Sequence, residues 1–233
     1  MKKLGIIGAM VVEVETLKEK MQEKSVATIA GMEFCEGVLE GLPAVVVQCG
    51  VGKVNAAMCA QILCSNYGVT HLVNTGIAGS LCNDLDVGDL LVSQDAIYHD
   101  FDCCAFGYPH CKVPGMDVIA FPADETMIEL AVAAAEEVHP GHIKLGRVAT
   151  GDQFVCTKEQ KDKIVTLTEG LCTEMEGCAI AHTAYRNGVP FVILRAISDK
   201  ADEEADMDYT TFEKLSAHRC AAVTCCLAGL LQK

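Results

Sequence analysis

The sequence predicts an α/β fold in which helices flank a largely parallel or mixed sheet. Short β-branched runs alternate along the chain with longer segments of helical period, which is the pattern of a sheet with helical connections. Apolar residues make up 51% of the chain and charged residues 21%, so a buried core is available and disorder is excluded. A length of 233 residues suits a single core, and we expect residues 1–233 to form one domain.

The predicted strands are short apolar runs rich in Val, Ile and Leu. In order they are Leu4–Gly8, Glu33–Val38, Ala44–Gln48, His71–Thr75, Asp89–Ile97, Ile143–Ala149 and Phe191–Ile197. The predicted helices have apolar residues at helical spacing. They are Val12–Glu23, Val54–Tyr67, Asp124–Glu137, Lys158–Leu167, Glu176–Asn187 and Tyr209–Leu231. Stop signals follow three of them, at Gly68, Pro140-Gly141 and Gly188-Val189-Pro190. Phe101–Ala123 has no periodicity, and long irregular segments of this kind often carry function.

The charge balance excludes a nucleic-acid partner. The net charge is −14, and the four arginines all lie in the second part of the chain, from Arg147 onward. An acidic surface of this kind repels phosphate backbones. The apolar run Cys220–Leu231 is shorter than the ~20 residues of a membrane span. The first residues lack the cleavage site of a signal peptide, so we expect a soluble, cytoplasmic protein without membrane contact.

The 14 cysteines are predicted to be reduced thiols. Many stand in apolar or alanine-rich runs, where cysteine behaves as a small buried hydrophobic residue. Disulfide frameworks belong to small secreted chains with little core. A metal-binding alternative rests on the ligand-type residues His99, Asp100, Asp102, Cys103, Cys104, His110 and Cys111. Zinc sites favour paired cysteines, and no C-x₂-C pair occurs, so we expect no metal and no cofactor.

Glycine-bearing loops are predicted after three strands, at Gly8-Ala9-Met10, Gly50-Val51-Gly52-Lys53 and Gly76-Ile77-Ala78-Gly79-Ser80. In α/β sheets, ligands bind beyond the carboxyl ends of the strands, so these loops are expected to converge on one crevice. None completes a nucleotide-binding motif, and each glycine also has a simple reading as a tight turn.

Three carboxylates lie at strand or loop ends, where an acid points into such a crevice. Glu13 follows the first strand in apolar surroundings, Glu176 enters a helix, and Asp199 ends a buried strand. Each alone has an equally good reading as a cap or a solvated charge. Together, at the mouth of one sheet, they indicate an active site.

The order and spacing of several motifs resemble the methylthioadenosine/S-adenosylhomocysteine nucleosidases of the nucleoside phosphorylase superfamily. The resemblance runs nearly end to end. Its motifs are Gly5–Met10 with Glu13, Gly50–Lys53, Asn74–Gly79, Tyr98–Asp100, Ala105–Tyr108, Gly151–Phe154, Glu174–Glu176 and Arg195–Asp199. It implies a three-layer sandwich with a central mixed, mostly parallel twisted sheet flanked by helices, and a hydrolase that cleaves the N-glycosidic bond of 5′-thio-substituted adenosines with water.

The resemblance also implies roles for individual residues. Asp199, held by Ser198, protonates adenine N7, Glu13 activates the water, and Glu176 binds the ribose hydroxyls. Phe154 stacks on adenine beside the Val155 backbone, while Met175 and Tyr209 pack on the ribose and the thioether. Further substrate-binding positions are Met10, Ala78, Gly79, Glu174 and Arg195. Phe106 and Pro114 close the 5′ pocket of a neighbouring subunit, which implies a homodimer.

Several alternatives stay open from the sequence alone. A phosphorylase needs fixed cations for phosphate, and the chain has no arginine before Arg147. A nucleosidase of aminodeoxyfutalosine would use the same acid and base and differ only in the 5′ pocket. A metal-binding or non-catalytic nucleoside-binding protein is the alternative of another class. Ile77, Ser80 and the Cys103-Cys104 pair depart from the family pattern, and they bear on which 5′-substituted adenosine is preferred.

Overall fold

The structure is a computed structural model that describes residues 1–202 and 205–233. Its strands are β1 Leu4–Gly8, β2 Gln22–Ile29, β3 Met32–Leu39, β4 Leu42–Gln48, β5 His71–Ser80, β6 Leu90–Tyr98, β7 Phe121–Pro122, β8 Ile143–Thr150, β9 Cys172–Glu174 and β10 Phe191–Asp199. Its helices are α1 Val11–Lys20, α2 Lys53–Asn66, α3 Glu125–Val138, α4 Lys158–Thr168, α5 Gly177–Asn187 and α6 Ala205–Gln232, with a 3₁₀ turn over Cys104–Phe106.

All the described strands belong to one mixed sheet, as the sequence predicts. The order is β10-β6-β8-β9-β5-β1-β4-β3-β2, with β7 paired to β6. Strand β10 also pairs with β5 in parallel, so β5, β10, β6, β8 and β9 form a closed ring from which β1 to β4 extend. Parallel and antiparallel pairs are equally frequent among the described strands, which makes the sheet less parallel than expected.

Helices cover both faces of the sheet and create two large cores, and a third, smaller apolar cluster includes Ile164 of α4. On one face α2 packs on α5, and on the other α6 packs on α1 and α3. Alternate residues of a strand therefore enter different cores: Ile7 belongs to the first, with Leu63 of α2, and Ile6 belongs to the second, with Leu17 of α1. This period of two is the geometry of a pleated strand buried on both sides.

The two strands that carry the predicted site are longer than the sequence indicates. The expected loop Gly76–Ser80 is wrong, because these residues continue β5 and pair with β10 and β9. Strand β10 continues to Asp199, and its register shifts between Ile197 and Asp199. A bulge of this kind bends a strand and redirects its side chains. Because the strands close into a ring, this part of β5 has hydrogen-bonding partners where the sequence predicted a turn.

Other differences arise where local pattern is weak. The first helix ends at Lys20 and not at Glu23, because Gln22–Ile29 forms β2, a strand whose side chains are mostly exposed. The short strands β7 and β9 were also missed. The cysteines form no disulfide, and Cys59, Cys172 and Cys178 are among those buried. In the described ranges, no helix combines the length and apolar character that a bilayer crossing requires.

Candidate active site

One cavity of about 340 Å³ opens where β5, β9 and β10 end. It brings together the three predicted catalytic carboxylates, Glu13, Glu176 and Asp199. It also brings together most of the predicted substrate-binding residues, which are Met10, Ala78, Gly79, Phe154, Val155, Glu174, Met175, Ser198 and Tyr209. Side chains that were far apart in the sequence therefore share one chamber.

Glu13 lies in the first turn of α1 and is 4% exposed. One carboxylate oxygen accepts hydrogen bonds from the backbone N–H groups of Ala9 at 2.7 Å and Met10 at 3.0 Å, and the other accepts one from Ile77 at 3.1 Å. Burial raises the pKa of Glu13 above its ordinary value, although nearby Arg195 and these hydrogen bonds oppose the rise. The site therefore holds a carboxylate of increased basicity in a fixed orientation.

The Glu174 carboxylate binds neighbouring groups of the protein. One of its oxygens accepts hydrogen bonds from the backbone N–H groups of Glu176 and Gly177 at the start of α5, and it also contacts Arg195 Nη2 at 2.5 Å. The other accepts a short hydrogen bond from the Thr150 hydroxyl. The sequence suggested Glu176 as the acid at the start of this helix. Glu176 is the N-cap residue of α5, but its side chain makes no cap hydrogen bond, and the Glu174 side chain accepts the N–H groups of Glu176 and Gly177 instead.

Arg195 is a buried cation beneath the cavity and does not line it. Its guanidinium contacts Glu174 and donates to the Asn74 side chain at 2.5 Å. Burial alone would lower the pKa of Arg195, but the carboxylates of Glu174 and Glu13 outweigh burial and raise it. The positive charge compensates the acids that surround it, which is the condition for keeping several carboxylates buried.

Glu176 points to the cavity and has fewer partners. Its Oε1 accepts a hydrogen bond from the Gly52 N–H at 2.7 Å. Burial, with repulsion from Glu174, raises the pKa of Glu176 to about 8. The glycine segment after β4, predicted as part of the crevice, thus reaches the site through its backbone.

Asp199 is 3% exposed at the end of β10. Its Oδ1 accepts from the Ala201 N–H at 2.8 Å, and its Oδ2 lies 2.8 Å from the Ser198 hydroxyl. The same hydroxyl lies 3.3 Å from the Ala78 carbonyl oxygen. When Ser198 donates to Ala78, its oxygen is free to accept a hydrogen bond from a protonated Asp199. The arrangement thus suits both protonation states of the acid.

Aromatic and sulfur-containing side chains form the outer part of the cavity. Phe154 is 45% exposed, and its ring meets that of Tyr209 edge-on with centroids 5.8 Å apart. The Tyr209 hydroxyl lies 3.0 Å from the Met10 sulfur. Such a wall offers a flat apolar face to a planar ring. The sequence assigned no role to the other lining residues, which are Ala9, Val51, Ile77, Gln153 and Thr173. All of them except Thr173 belong to motifs of the family resemblance, so the motifs could have found them.

Phe106 and Pro114 do not line this cavity. Both are exposed on the segment between β6 and β7, and Phe106 retains 83% of its accessible surface. An exposed phenylalanine on a turn makes no contribution to the core of its own chain. Their predicted place in a partner's pocket stays a prediction.

Comparison with known proteins identifies the family. Residues 3–228 match the model of the Phosphorylase superfamily. A 5′-methylthioadenosine/S-adenosylhomocysteine nucleosidase of Geobacillus sp. (strain WCH70) is 37% identical over 232 residues, which cover 99% of this chain and 100% of that protein. The chain belongs to the methylthioadenosine/S-adenosylhomocysteine nucleosidase family.

Solved structures of relatives agree with this membership. The nucleosidase of Neisseria meningitidis, in complex with methylthio-immucillin-A, superposes with a TM-score of 0.96 at 34% identity, covering 99% of this chain and 100% of that one. A futalosine hydrolase of Helicobacter pylori superposes with a TM-score of 0.92, also at 34% identity and covering 97% of both chains. The nucleosidase fold thus supports more than one named activity among its members.

Proposed function

We propose that this protein hydrolyses the N-glycosidic bond of 5′-methylthioadenosine and S-adenosylhomocysteine, releasing adenine and the 5′-thioribose. The observation that carries the proposal is that Glu13, Glu176 and Asp199 line one cavity in a member of this nucleosidase family. No Lys or Arg lines the cavity within the described ranges, so a phosphate nucleophile has no fixed cation there. This supports water, rather than phosphate, as the nucleophile.

Asp199 is proposed as the general acid. Adenine leaves poorly as an anion, so a proton must reach N7 as the bond breaks. The Ser198 hydroxyl and the Ala201 N–H hold the carboxyl of Asp199 in place, and the Ser198 hydroxyl also lies within reach of the Ala78 carbonyl oxygen, so the proton of the neutral acid is left for adenine N7. These contacts support a proton donor fixed at the end of β10.

Glu13 is proposed as the base that activates water. A carboxylate has roughly four lone-pair sites, and three backbone N–H groups use three of them, which leaves one direction for a water molecule. Glu13 contacts β5 at Ile77, and Asp199 pairs with β5 at Gly79. These two positions are two residues apart on β5, and a strand rises about 3.3 Å per residue. The acid and the base are therefore held close to each other, as two groups that act on opposite faces of one sugar require.

Glu176 and the cavity wall are proposed to bind the substrate. In its carboxylate form, which becomes populated as the pH rises towards its pKa of about 8, Glu176 is suited to accept the ribose hydroxyls and to stabilise the developing positive charge on the sugar. Phe154 would stack on adenine beside the Val155 backbone, and Met10, Met175 and Tyr209 would pack on the ribose and the thioether. Ala78, Gly79 and Ser198 would line the sugar and base, while Glu174 and Arg195 would hold Glu176 in position from below.

We further propose a cytoplasmic homodimer in which Phe106 and Pro114 of each chain complete the partner's 5′ pocket. The exposure of both Phe106 and Tyr108 on this segment supports this, because neighbouring exposed apolar side chains, unlike a single one, indicate a contact surface. The location in the cytoplasm is supported by the abundance of unpaired cysteines, which persist in reducing compartments.

A second candidate substrate is aminodeoxyfutalosine. The futalosine hydrolase of Helicobacter pylori is as similar in sequence, at 34% identity, as the Neisseria meningitidis nucleosidase. The acid and base would be the same for both substrates, and only the group at the 5′ position would differ.

A substrate panel tests these proposals. Adenine release is measured from methylthioadenosine, S-adenosylhomocysteine, 5′-deoxyadenosine and aminodeoxyfutalosine, each with and without phosphate in the buffer. We expect rapid release from the first two, independent of phosphate, with free thioribose as the second product. A strict phosphate requirement with a sugar phosphate as product would contradict the hydrolase, and turnover of aminodeoxyfutalosine alone would favour the second candidate.

A further inference from the structure

The segment between β6 and the 3₁₀ turn folds back on itself and brings metal-ligand side chains together. The Cys111 N–H donates to the Phe101 carbonyl oxygen at 3.0 Å, so the two arms of the loop run side by side. Asp102 and His110 are the next residues inward on each arm and face one another. The Asp102 carboxylate accepts the Cys104 N–H at 2.8 Å, which fixes the start of the turn.

The ligand atoms of Asp102, Cys104 and His110 all lie within 4.8 Å of one another. A carboxylate oxygen, a thiol sulfur and an imidazole nitrogen are the donor types that zinc takes in proteins. The sequence, which has no paired cysteines, predicts no metal, but the juxtaposition of these three side chains argues otherwise. We propose that Asp102, Cys104 and His110 form a binding site for a single thiophilic divalent metal ion, with Zn²⁺ as the best match, separate from the active-site cavity. The ion is not proposed to take part in the glycosidic reaction.

A neighbouring cavity has room for a fourth ligand of the metal ion. This second cavity, of about 230 Å³, is lined by Asp102 and His110 together with His99. His99 is 8% exposed, and its Nε2 has no hydrogen-bond partner within the described part of the chain. Buried polar atoms in roomy polar cavities are usually satisfied by water. A three-residue zinc site takes a water molecule as its fourth ligand, and this cavity has the room and the polar lining for one.

Among the described residues, no salt bridge involves the Asp102 carboxylate. Lys163 lies on the same cavity, but the ion pairs found in the described residues do not include Lys163 with Asp102. The net charge of −14 raises the local concentration of cations. Binding replaces the hydrogen on the Cys104 sulfur by the metal, and the released proton passes to the buffer.

The ion would fix the turn that carries Phe106. Cys104 and Phe106 share the 3₁₀ turn, and the Gly107 N–H donates to the Cys104 carbonyl oxygen at 2.9 Å. Ligands on both sides of Phe106 would therefore hold the turn in one conformation. The site itself follows from the three side chains and does not depend on the proposed reaction.

Titration of the metal-free full-length protein with Zn²⁺ tests the site. We expect one ion per chain by calorimetry, and release of about one proton per ion when titrations in two buffers are compared. With Co²⁺ as probe, we expect a thiolate-to-cobalt absorption band. Cys104→Ser and His110→Gln are each expected to weaken Zn²⁺ binding at least about tenfold and Cys104→Ser to abolish the band.

Matched variants make the outcome decisive. Cys64→Ser removes another half-buried thiol, on α2, and is expected to leave binding and the band unchanged. Binding that survives both Cys104→Ser and His110→Gln would overturn the proposal, as would loss of the band only in Cys103→Ser. Failure to bind one equivalent of Zn²⁺ at micromolar concentration would also overturn it. The three loop side chains are exposed or half-buried, so circular dichroism should show folded variants.

Discussion

At the scale of single residues, two side chains of the same type have different roles because their neighbours differ. Glu174 and Glu176 are two positions apart, and both are buried. Both oxygens of Glu174 are used by Thr150, Arg195 and the start of α5, so this acid is a structural support. Glu176 accepts one backbone hydrogen bond, from Gly52, and keeps lone pairs for a ligand. Sequence position alone does not distinguish the two.

The first residue-scale prediction concerns Asp199→Asn. We expect a loss of about 10²–10⁴-fold in kcat, because an amide of the same shape hydrogen-bonds but does not transfer a proton to adenine. Nucleoside binding and the fold should persist, as judged by calorimetry with methylthioadenosine and by circular dichroism. The control is Asp84→Asn, which changes an exposed aspartate paired with Lys144 and should keep normal turnover. If Asp199→Asn retained more than about a tenth of the activity, the acid would have to be another group.

The second residue-scale prediction concerns the pH dependence of stability. The pKa of Glu176 is about 8 in the folded chain, against an ordinary value of 4.5. Between these values the folded protein keeps a proton that the unfolded chain has lost, so the contribution of Glu176 to stability falls as the pH rises through this window. Glu176→Gln has no such proton but can still accept the Gly52 N–H.

Urea unfolding of both proteins at about pH 5.5 and pH 7.5 measures this effect. We expect the wild-type protein to lose on the order of 2 kcal/mol of unfolding free energy relative to Glu176→Gln between the two pH values. Comparing the two proteins at each pH cancels the contributions of titrating groups that do not interact with Glu176. An equal change in both proteins would contradict a raised pKa for Glu176.

At the scale of elements, the site requires strand β5 to pass very close to the proposed base and the proposed acid. A Cβ atom at Gly76 would contact Glu13 Oε1 and would lie 3.0 Å from Arg195 Nη1. A Cβ atom at Gly79 would lie 2.7 Å from Asp199 Oδ1. Both glycines are in β5, so this strand accommodates the proposed base and the proposed acid by lacking side chains at two positions.

Gly76→Ala tests this closeness. We expect it to lower the unfolding free energy by about 1–3 kcal/mol, because the added methyl group overpacks a buried site, and to lower kcat by displacing Glu13. Gly229→Ala is the matched control: its Cβ would lie 3.7 Å from the nearest atom, which is ordinary contact, within helix α6. That change should stabilise the protein by about 0.5–1 kcal/mol. Denaturant unfolding and kcat measurements on both variants decide the matter.

Elements that local sequence stabilises could be predicted from the sequence, and elements that depend on pairing with distant strands could not. Helices such as α3 and α5 have local apolar periodicity with clear stops, and they were found within a few residues. The continuation of β5 through Gly76–Ser80 and the three-residue strand β9 are stabilised by pairing with distant strands. Local pattern contains no such information. The motifs predicted which residues meet in one cavity more accurately than local pattern predicted the strand ends, because chemistry restricts residue type; the roles of those residues stay predictions.

At the scale of the whole molecule, the cavity forms where the sheet closes into a ring. Strand β5 pairs with both β10 and β9, so residues near positions 78, 174 and 199 reach one chamber from distant parts of the chain. The predicted single domain agrees with this arrangement and stays a prediction. The exposed Phe106 turn does not line the chamber within its own chain. The proposed homodimer would bring this turn from the partner to the proposed 5′ end of the chamber.

The last prediction tests the shared pocket by mixing two variants. Phe106→Ala is expected to raise KM for methylthioadenosine about tenfold, the loss of one apolar contact, and Asp199→Asn is expected to be nearly inactive. A mixed dimer has one site built from the intact Asp199 of the first chain and the intact Phe106 of the second. After subunit exchange with excess Asp199→Asn protein, the KM of the Phe106→Ala sample should therefore return to the wild-type value. The control partner carries both substitutions and should restore nothing. Light scattering should show a dimer throughout, and an unchanged KM in exchanged dimers would mean that Phe106 does not act on the partner's site.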